Sequence, residues 1–227
     1  MRNKNKDLSD TLSLDRYETI LLDMDGTLLD LAFDNYFWRD LVPRVYAREW
    51  DITLEAAHDR IYELYAAREG TLDWYCLDFW TEQLGLDLKA LKSASSHRIR
   101  FLPGARDFLT MVQNSGKRLV LVTNAHQHTL AIKKDVTGLE CWIGEFVSSH
   151  DIGLPKEDSG FWSILEQQLA FKPDRTLFVD DSLPVIEAAA TYGLGGVIAV
   201  RRPDTGQPPR EIDQRPYIDG VEYWLEN

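Results

Sequence analysis

The sequence predicts an α/β protein: a doubly wound parallel sheet with an all-helical segment inserted after its first strand. Three observations lead there. Short continuous apolar runs recur at Thr19–Leu22, Arg118–Thr123, Thr176–Asp180 and Gly196–Val200, with a weaker one at Glu145–Ser148. Runs of this kind suit strands buried on both faces. Helical patterns separate the later runs, and such alternation argues for parallel crossovers. Residues 32–101 break the alternation, because they carry helical spacings and no convincing strand.

Taken in order, residues 1–15 are rich in Asn, Lys, Asp and Ser and are expected to form a flexible leader. The first strand then runs into Asp23-Met24-Asp25-Gly26-Thr27, a tight loop in which Gly26 supplies backbone freedom. In the insert, Ala57, Ile61, Leu64 and Tyr65 fall at helical spacing behind Thr53, a candidate N-cap. Leu72, Tyr75, Cys76, Phe79 and Leu84 predict a second helix there. Beyond it, Phe108, Met111 and Val112 share one helix face between Pro103 and Gly116, and Phe161, Ile164, Leu165 and Leu169 share another. Ile186, Ala189 and Ala190 lie on a further helix, with Ser182 as N-cap, Pro184 in the first turn and Gly193 beyond the end. Prolines 203, 208, 209 and 216 predict a looped tail ending in a short element. The expected layout is a leader over 1–15, a catalytic core over 16–31 and 102–227, and a helical insert over 32–101.

Bulk composition narrows the function. The chain has 227 residues, 44% hydrophobic and 27% charged, in the range of ordinary globular proteins. A net charge of -12 repels nucleic-acid phosphates, so no nucleic-acid partner is expected. The same charge poses a problem for any phosphate ester, which a bound divalent cation would solve locally. Residues 1–10 are polar and do not read as a secretory signal, and no run of about 18 apolar residues predicts a membrane span. Cys76 and Cys141 do not make a disulfide framework, so a reducing cytoplasm is expected.

Ligands of an open parallel sheet bind outside the carboxyl ends of its strands. Those ends carry Asp23 and Asp25, then Thr123 and Asn124, then Asp180, Asp181 and Ser182, with Lys156 in a nearby loop after Pro155. Converging carboxylates with a hydroxyl, an amide and an ammonium suit phosphoryl transfer. Carboxylate oxygens suit Mg²⁺, which takes few protein ligands. Asp23 can attack phosphorus in line, and Asp25 can give a proton to the leaving alkoxide and later take one from water. The Thr123 hydroxyl, Asn124 and the backbone N–H groups around Gly26 and Thr27 can hold phosphoryl oxygens. Lys156 balances charge on Asp23 and the transferring group. Asp181, with Asp180, completes the metal shell.

These pieces resemble the four motifs of the haloacid dehalogenase (HAD) superfamily: Asp23-x-Asp25-Gly26-Thr27, Thr123, Lys156 and Asp180-Asp181, in that order and strand context. The resemblance implies a Rossmann-like core, Mg²⁺ as cofactor, and a type 1 cap formed by the helical insert. It also implies that the Asp23 side chain, the Asp25 backbone carbonyl and Asp181 hold the metal, with Asp180 one step behind. The stretches Leu21–Trp38, Thr71–Asp87, Leu121–His126, Leu154–Asp158 and Arg175–Ser182 are similar to the bacterial GMP/IMP nucleotidase branch. That implies a magnesium-dependent phosphomonoesterase acting on purine nucleoside 5′-monophosphates. The small phosphorylated partner would be such a nucleotide, and the protein a monomer or a weak homo-oligomer.

Alternatives stay open at this level. A phosphatase for a sugar phosphate or phosphoglycolate shares the chemistry, and so does a phosphomutase whose phospho-aspartate is shielded from water. Dehalogenases do not need this acidic set, and pump ATPases and phosphonatases lack a carboxylate at the position of Asp25. An inactive α/β binding module is the reading from a different class. Trp74, Tyr75, Phe79 and Trp80 read either as the core of the insert or as a surface for stacking a base. Phe33, Asn35, Tyr36, Phe37 and Trp38 lie where the chain enters the insert, near Asp23. His126 and His128, two residues apart with no third ligand near in sequence, are not expected to bind metal.

Overall fold

The computed structural model describes residues 11–213 and 215–226. Six parallel strands form one sheet in the order β3-β2-β1-β4-β5-β6. They are β1 Thr19–Leu22, β2 Arg118–Thr123, β3 Glu145–Ser148, β4 Thr176–Asp180, β5 Gly196–Val200 and β6 Tyr217–Ile218. All five expected runs are strands, and the tail adds β6 and ends in the short helix Tyr223–Glu226. β1 lies between β2 and β4, so the chain turns to opposite sides of it.

Both faces of the sheet are apolar, which explains why the strands read as continuous runs rather than alternations. Ile20, Leu22, Leu121, Leu177 and Val179 enter one buried cluster. Leu21, Val120, Val122 and Phe178 enter the other. The helices covering these clusters stand where the periodicity puts them, at Ala105–Asn114, Phe161–Leu169 and Leu183–Tyr192. Ser182 is the N-cap residue of the last of these, but its side chain makes no capping hydrogen bond.

The insert is helical throughout and has a buried cluster of its own, which includes Phe37, Tyr46, Ile61, Tyr65, Trp80 and Leu88. Its ends belong to the sheet instead: Phe33 and Ile99 pack in the first core cluster. The two ends are also tied together. Leu29 bridges Phe101, Leu102 N–H donates to Leu28 O at 2.9 Å, and Asp30 N–H donates to Arg100 O at 2.9 Å.

Two expectations are corrected here. The helix expected over 72–84 is two helices, Leu72–Tyr75 and Leu77–Leu84, because Cys76 is extended at φ -84° and ψ 109°. The break is stabilised locally. Cys76 Sγ accepts from Phe79 N–H, and Trp80 Nε1 donates to Trp74 O at 3.0 Å. The leader also ends sooner than expected. Residues 1–10 lie outside the described residues, but Leu12 and Leu14 pack against the first core cluster, and Trp224 Nε1 donates to Leu12 O.

A wide π-type turn over Phe37–Leu41 precedes Pro43. Proline has no N–H to give, and its ring would strike the carbonyl four residues back, so the widened turn relieves both conflicts. Among the described residues no helix is long and apolar enough to cross a membrane.

Trp80 is 1% exposed and stands edge-on to Tyr65 and Phe79. Trp80→Ala is expected to lower stability by about 3–5 kcal/mol in denaturant titration. A loss under about 1 kcal/mol would show that the insert does not rest on this cluster.

Candidate active site

The crevice is built at the carboxyl ends of β1, β2 and β4. Asp23 N–H still bonds Val179 O at 3.0 Å, so the ladder carries its side chain to the sheet's edge. The loop then turns sharply. Gly26 has φ +84°, and a Cβ there would meet the Asp181 carboxylate at 2.6–2.9 Å. Glycine is therefore required twice, by the dihedral and by the close approach of the acid. Gly26 N–H is engaged by Leu29 O at 2.7 Å, so Gly26 gives the crevice space rather than the donor expected of it. Thr27 Oγ1 is buried with no partner among the described residues.

Lys156 ties the crevice together. Its ammonium donates to Asp23 Oδ1 at 2.5 Å, Asp180 Oδ2 at 2.7 Å and Val122 O at 3.0 Å. The backbone around it is fixed as well: Lys156 N–H donates to Asn124 Oδ1 at 2.9 Å, and Lys156 O accepts from Trp162 Nε1 at 2.9 Å. Burial works against the charged amine, yet Asp180 and Asp23 outweigh it and raise its pKa. Asn124 also donates to Glu157 Oε2, and Glu157 Oε1 accepts from the Tyr75 hydroxyl of the insert. The Asn124 side chain thus positions the Lys156 loop. The Thr123 hydroxyl oxygen accepts from Ala125 N–H at 3.0 Å, which leaves its own proton free to donate.

Asp23, Asp180 and Asp181 are all buried, and one oxygen from each lies within 4.8 Å of the others. Burial, with Lys156 opposing, pushes Asp23 up to about 6. Burial, Asp180 and Asp23 hold Asp181 well above the usual carboxylate range, opposed by Arg210 and Lys156. Three crowded carboxylates that resist ionisation suit a hard divalent cation, which stabilises all their charges at once. Asp180 is the member least free for it, because its oxygens serve Lys156 Nζ and Ser182 N–H.

A second line of charge leaves Asp25. Lys133 Nζ donates to Asp25 Oδ1 and to Asp34 Oδ2, both at 2.5 Å, and Lys92 Nζ donates to Asp34 Oδ1 at 2.9 Å. Both lysines are 1% exposed. The Lys92 ammonium also lies 4.4 Å from the Phe37 ring centroid and 5.1 Å from that of Trp38. Burial raises Asp25 to about 7 against the pull of Lys133. Asp34 is buried too, but Lys133 and Lys92 together bring it down to about 2.

Every strand-end residue expected at the crevice is there. Four further residues were not expected. Lys133 follows β2 by a helix turn pattern that gives no sign of its partner. Lys92 and Asp34 come from opposite ends of the insert. Arg210, in the proline-rich tail, donates to Asp181 Oδ2 at 3.0 Å and to its carbonyl at 2.8 Å. The aromatic residues divide: Trp80 is core, while Tyr75 reaches Glu157. Asn35 turns to Asp204 of the tail at 2.7 Å. His126 and His128, separated from other such residues in the sequence, are joined in the fold by Cys76, Asp78 and His150.

Comparison with known proteins bears on this site. The haloacid dehalogenase-like hydrolase family matches residues 17–193. The chain is 41% identical over 202 residues to the GMP/IMP nucleotidase YrfG of Escherichia coli (strain K12), covering 89% of this chain and 91% of that one. It is 22% identical over 222 residues to Enolase-phosphatase E1 of Fusarium vanettenii, covering 88% and 92%. Among solved structures, a HAD phosphatase from Thermococcus onnurineus superposes with a TM-score of 0.76 at 20% identity, over 92% of this chain and 96% of that one. That last likeness speaks for the fold. The matched span takes in every strand end of the crevice, and the chain belongs to the haloacid dehalogenase-like hydrolases.

Proposed function

We propose that this chain is a magnesium-dependent phosphomonoesterase that hydrolyses purine nucleoside 5′-monophosphates through a phospho-aspartate on Asp23. One observation carries the chemistry. Asp23 is held by Lys156 beside two more buried carboxylates, with Asp25 two residues away on a separate charge line. The 41% identity to a GMP/IMP nucleotidase over nearly the full chain supports the substrate class. A structural neighbour, YfnB of Bacillus subtilis, is bound to magnesium. The donor set here suits the same ion, with Asp23, Asp181 and the Asp25 carbonyl as its holders. When bound, Mg²⁺ would offset the negative charge that the carboxylates and the phosphate bring together.

The residues divide the reaction between them. Asp23 Oδ1 is taken by Lys156, which aims the other oxygen, Oδ2, at phosphorus. As the Asp23–O–P bond forms, the P–O bond to the ribose breaks, and Asp25 gives its proton to the leaving oxygen. Water then attacks the phosphoryl-aspartate, Asp25 takes the proton, and Asp23 is released with phosphate. A carboxyl raised to about 7 exists in both forms near neutrality, as an acid that must become a base requires. The Thr123 hydroxyl holds a phosphoryl oxygen, and the Lys156 charge balances that of the transferring group. Lys133 orients Asp25. The helical insert acts as a cap that closes over the crevice and selects the substrate.

Asp23→Asn is expected to abolish phosphate release, by roughly 10³-fold or more. GMP and IMP should be turned over well above sugar phosphates and phosphoglycolate in the same assay. Strong turnover of the sugar phosphates with none of GMP or IMP would overturn the substrate class and leave the chemistry standing.

Lys133→Met is expected to lower kcat by roughly 10²-fold with KM changed less than about threefold, because Asp25 loses its orienting partner. An unchanged kcat would separate Lys133 from the reaction.

Protons and cation compete for the raised carboxyls. With Asp23 near 6 and Asp181 raised, Mg²⁺ affinity should be weakest below pH 6 and should rise through pH 7. Calorimetry in two buffers of different ionisation enthalpy should detect proton release at pH 6. Constant affinity with no proton release would contradict this electrostatic account.

A further inference from the structure

We propose that Cys76, His126 and His150, with Asp78, form a second metal site, one that takes a borderline transition cation of the Zn²⁺ class and joins the insert to the sheet. The site shares no residue with the carboxylate crevice. Sequence separates its members widely: Cys76 and Asp78 sit at the break between the two short helices of the insert, His126 follows β2, and His150 follows β3. Folding brings one ligand atom from each of Cys76, His126 and His150 within 4.8 Å of the others. Asp78, His126 and His128 make an overlapping set.

Three features point to a ligand. His150 Nε2 is buried and has no hydrogen-bond partner among the described residues. The rings of His126 and His150 stand edge to face at 4.9 Å, and those of His126 and His128 at 5.0 Å, so three imidazoles crowd one spot. Asp78 lies on the open side, 3.7 Å from His126 Nε2 and 3.0 Å from His128 Nδ1, and supplies the anion that a dication wants beside neutral imidazoles.

The chemistry of the donors chooses the cation. Thiolate and imidazole nitrogens favour Zn²⁺ and its neighbours over Mg²⁺. Zn²⁺ binds nitrogen at about 2.0 Å and sulfur at about 2.3 Å, which sets tetrahedral ligand atoms about 3.3–3.8 Å apart. The atoms of Cys76, His126 and His150, within 4.8 Å of one another, reach that spacing by side-chain movements of about 1 Å, and Asp78, 3.7 Å from His126 Nε2, offers a carboxylate oxygen as fourth ligand. Since two ligands come from the insert and two from the loops of the sheet, the ion would clamp one to the other beside the crevice.

Cobalt(II) titration of the Asp23→Asn Asp181→Asn protein tests this, because those changes remove the carboxylate site. The expected result is one equivalent bound, with a thiolate-to-cobalt charge-transfer band and intense tetrahedral d–d bands. The band should survive Cys141→Ser and vanish in Cys76→Ser, while His150→Gln should weaken binding by at least about tenfold. Equimolar Zn²⁺ should raise the melting temperature of the parent protein and leave that of Cys76→Ser His150→Gln unmoved, with melts in EDTA showing that both are folded. Absence of the charge-transfer band in the parent protein, or its loss with Cys141→Ser alone, would overturn the proposal.

Discussion

Everything at the crevice depends on one buried cation, the Lys156 ammonium. Parallel strands bring the backbone of β1 and β4 to the same edge, and the residues there are Asp23 and Asp180. Two carboxylates at that spacing repel, and burial deepens the cost. Lys156 stabilises them by bonding both, and Val122 O takes its third proton. The position of Lys156 is then fixed by Asn124 and Trp162. A change at Trp162, buried among Phe161 and Phe178, therefore reaches Asp23 through only two contacts.

The acidity of the chain looks like an obstacle to binding a phosphate ester, but the charge is not spread evenly. Lys156, Lys133, Lys92 and Arg210 each pair with acids of the crevice region, so four cations offset most of the charge of Asp23, Asp25, Asp34, Asp180 and Asp181 where the anion must arrive. Negative charge elsewhere remains on the surface, where water screens it. The alternation Asp25, Lys133, Asp34, Lys92 runs from the loop of β1 into the insert, so Asp25 and the helical block share one electrostatic unit. Removing one member of such a buried line leaves its neighbour uncompensated.

How much of this was legible in the sequence follows from the range of each signal. Strands buried on both faces announce themselves as apolar runs, and Asp23, Thr123 and Asp180-Asp181 stand at their ends, with Lys156 in a loop between the last two. Those residues could be named in advance because the topology alone collects them. Lys133 and Arg210 could not, since a lysine on a helix and an arginine in a proline-rich tail look like solvated charge until the partner is in view. Cys76 hid twice. It fits a helical spacing, so the break at its position was invisible, and its neighbours in space, His126 and His150, lie far away along the chain. The resemblance to a known superfamily sharpened the roles of the motif residues, but it carried nothing about these accessory groups.

The way the insert is attached has a further meaning. Its two ends leave the core side by side, with Leu29 bridged to Phe101 and Leu28 bonded to Leu102. From the viewpoint of the sheet, seventy residues occupy the place of a single tight hairpin. The intervening helices could be shortened, lengthened or exchanged for another block without stretching β1 or disturbing its pairing. Such a junction separates change in the helical block from the upkeep of the crevice: one part of the chain can be rewritten freely while the other is held still.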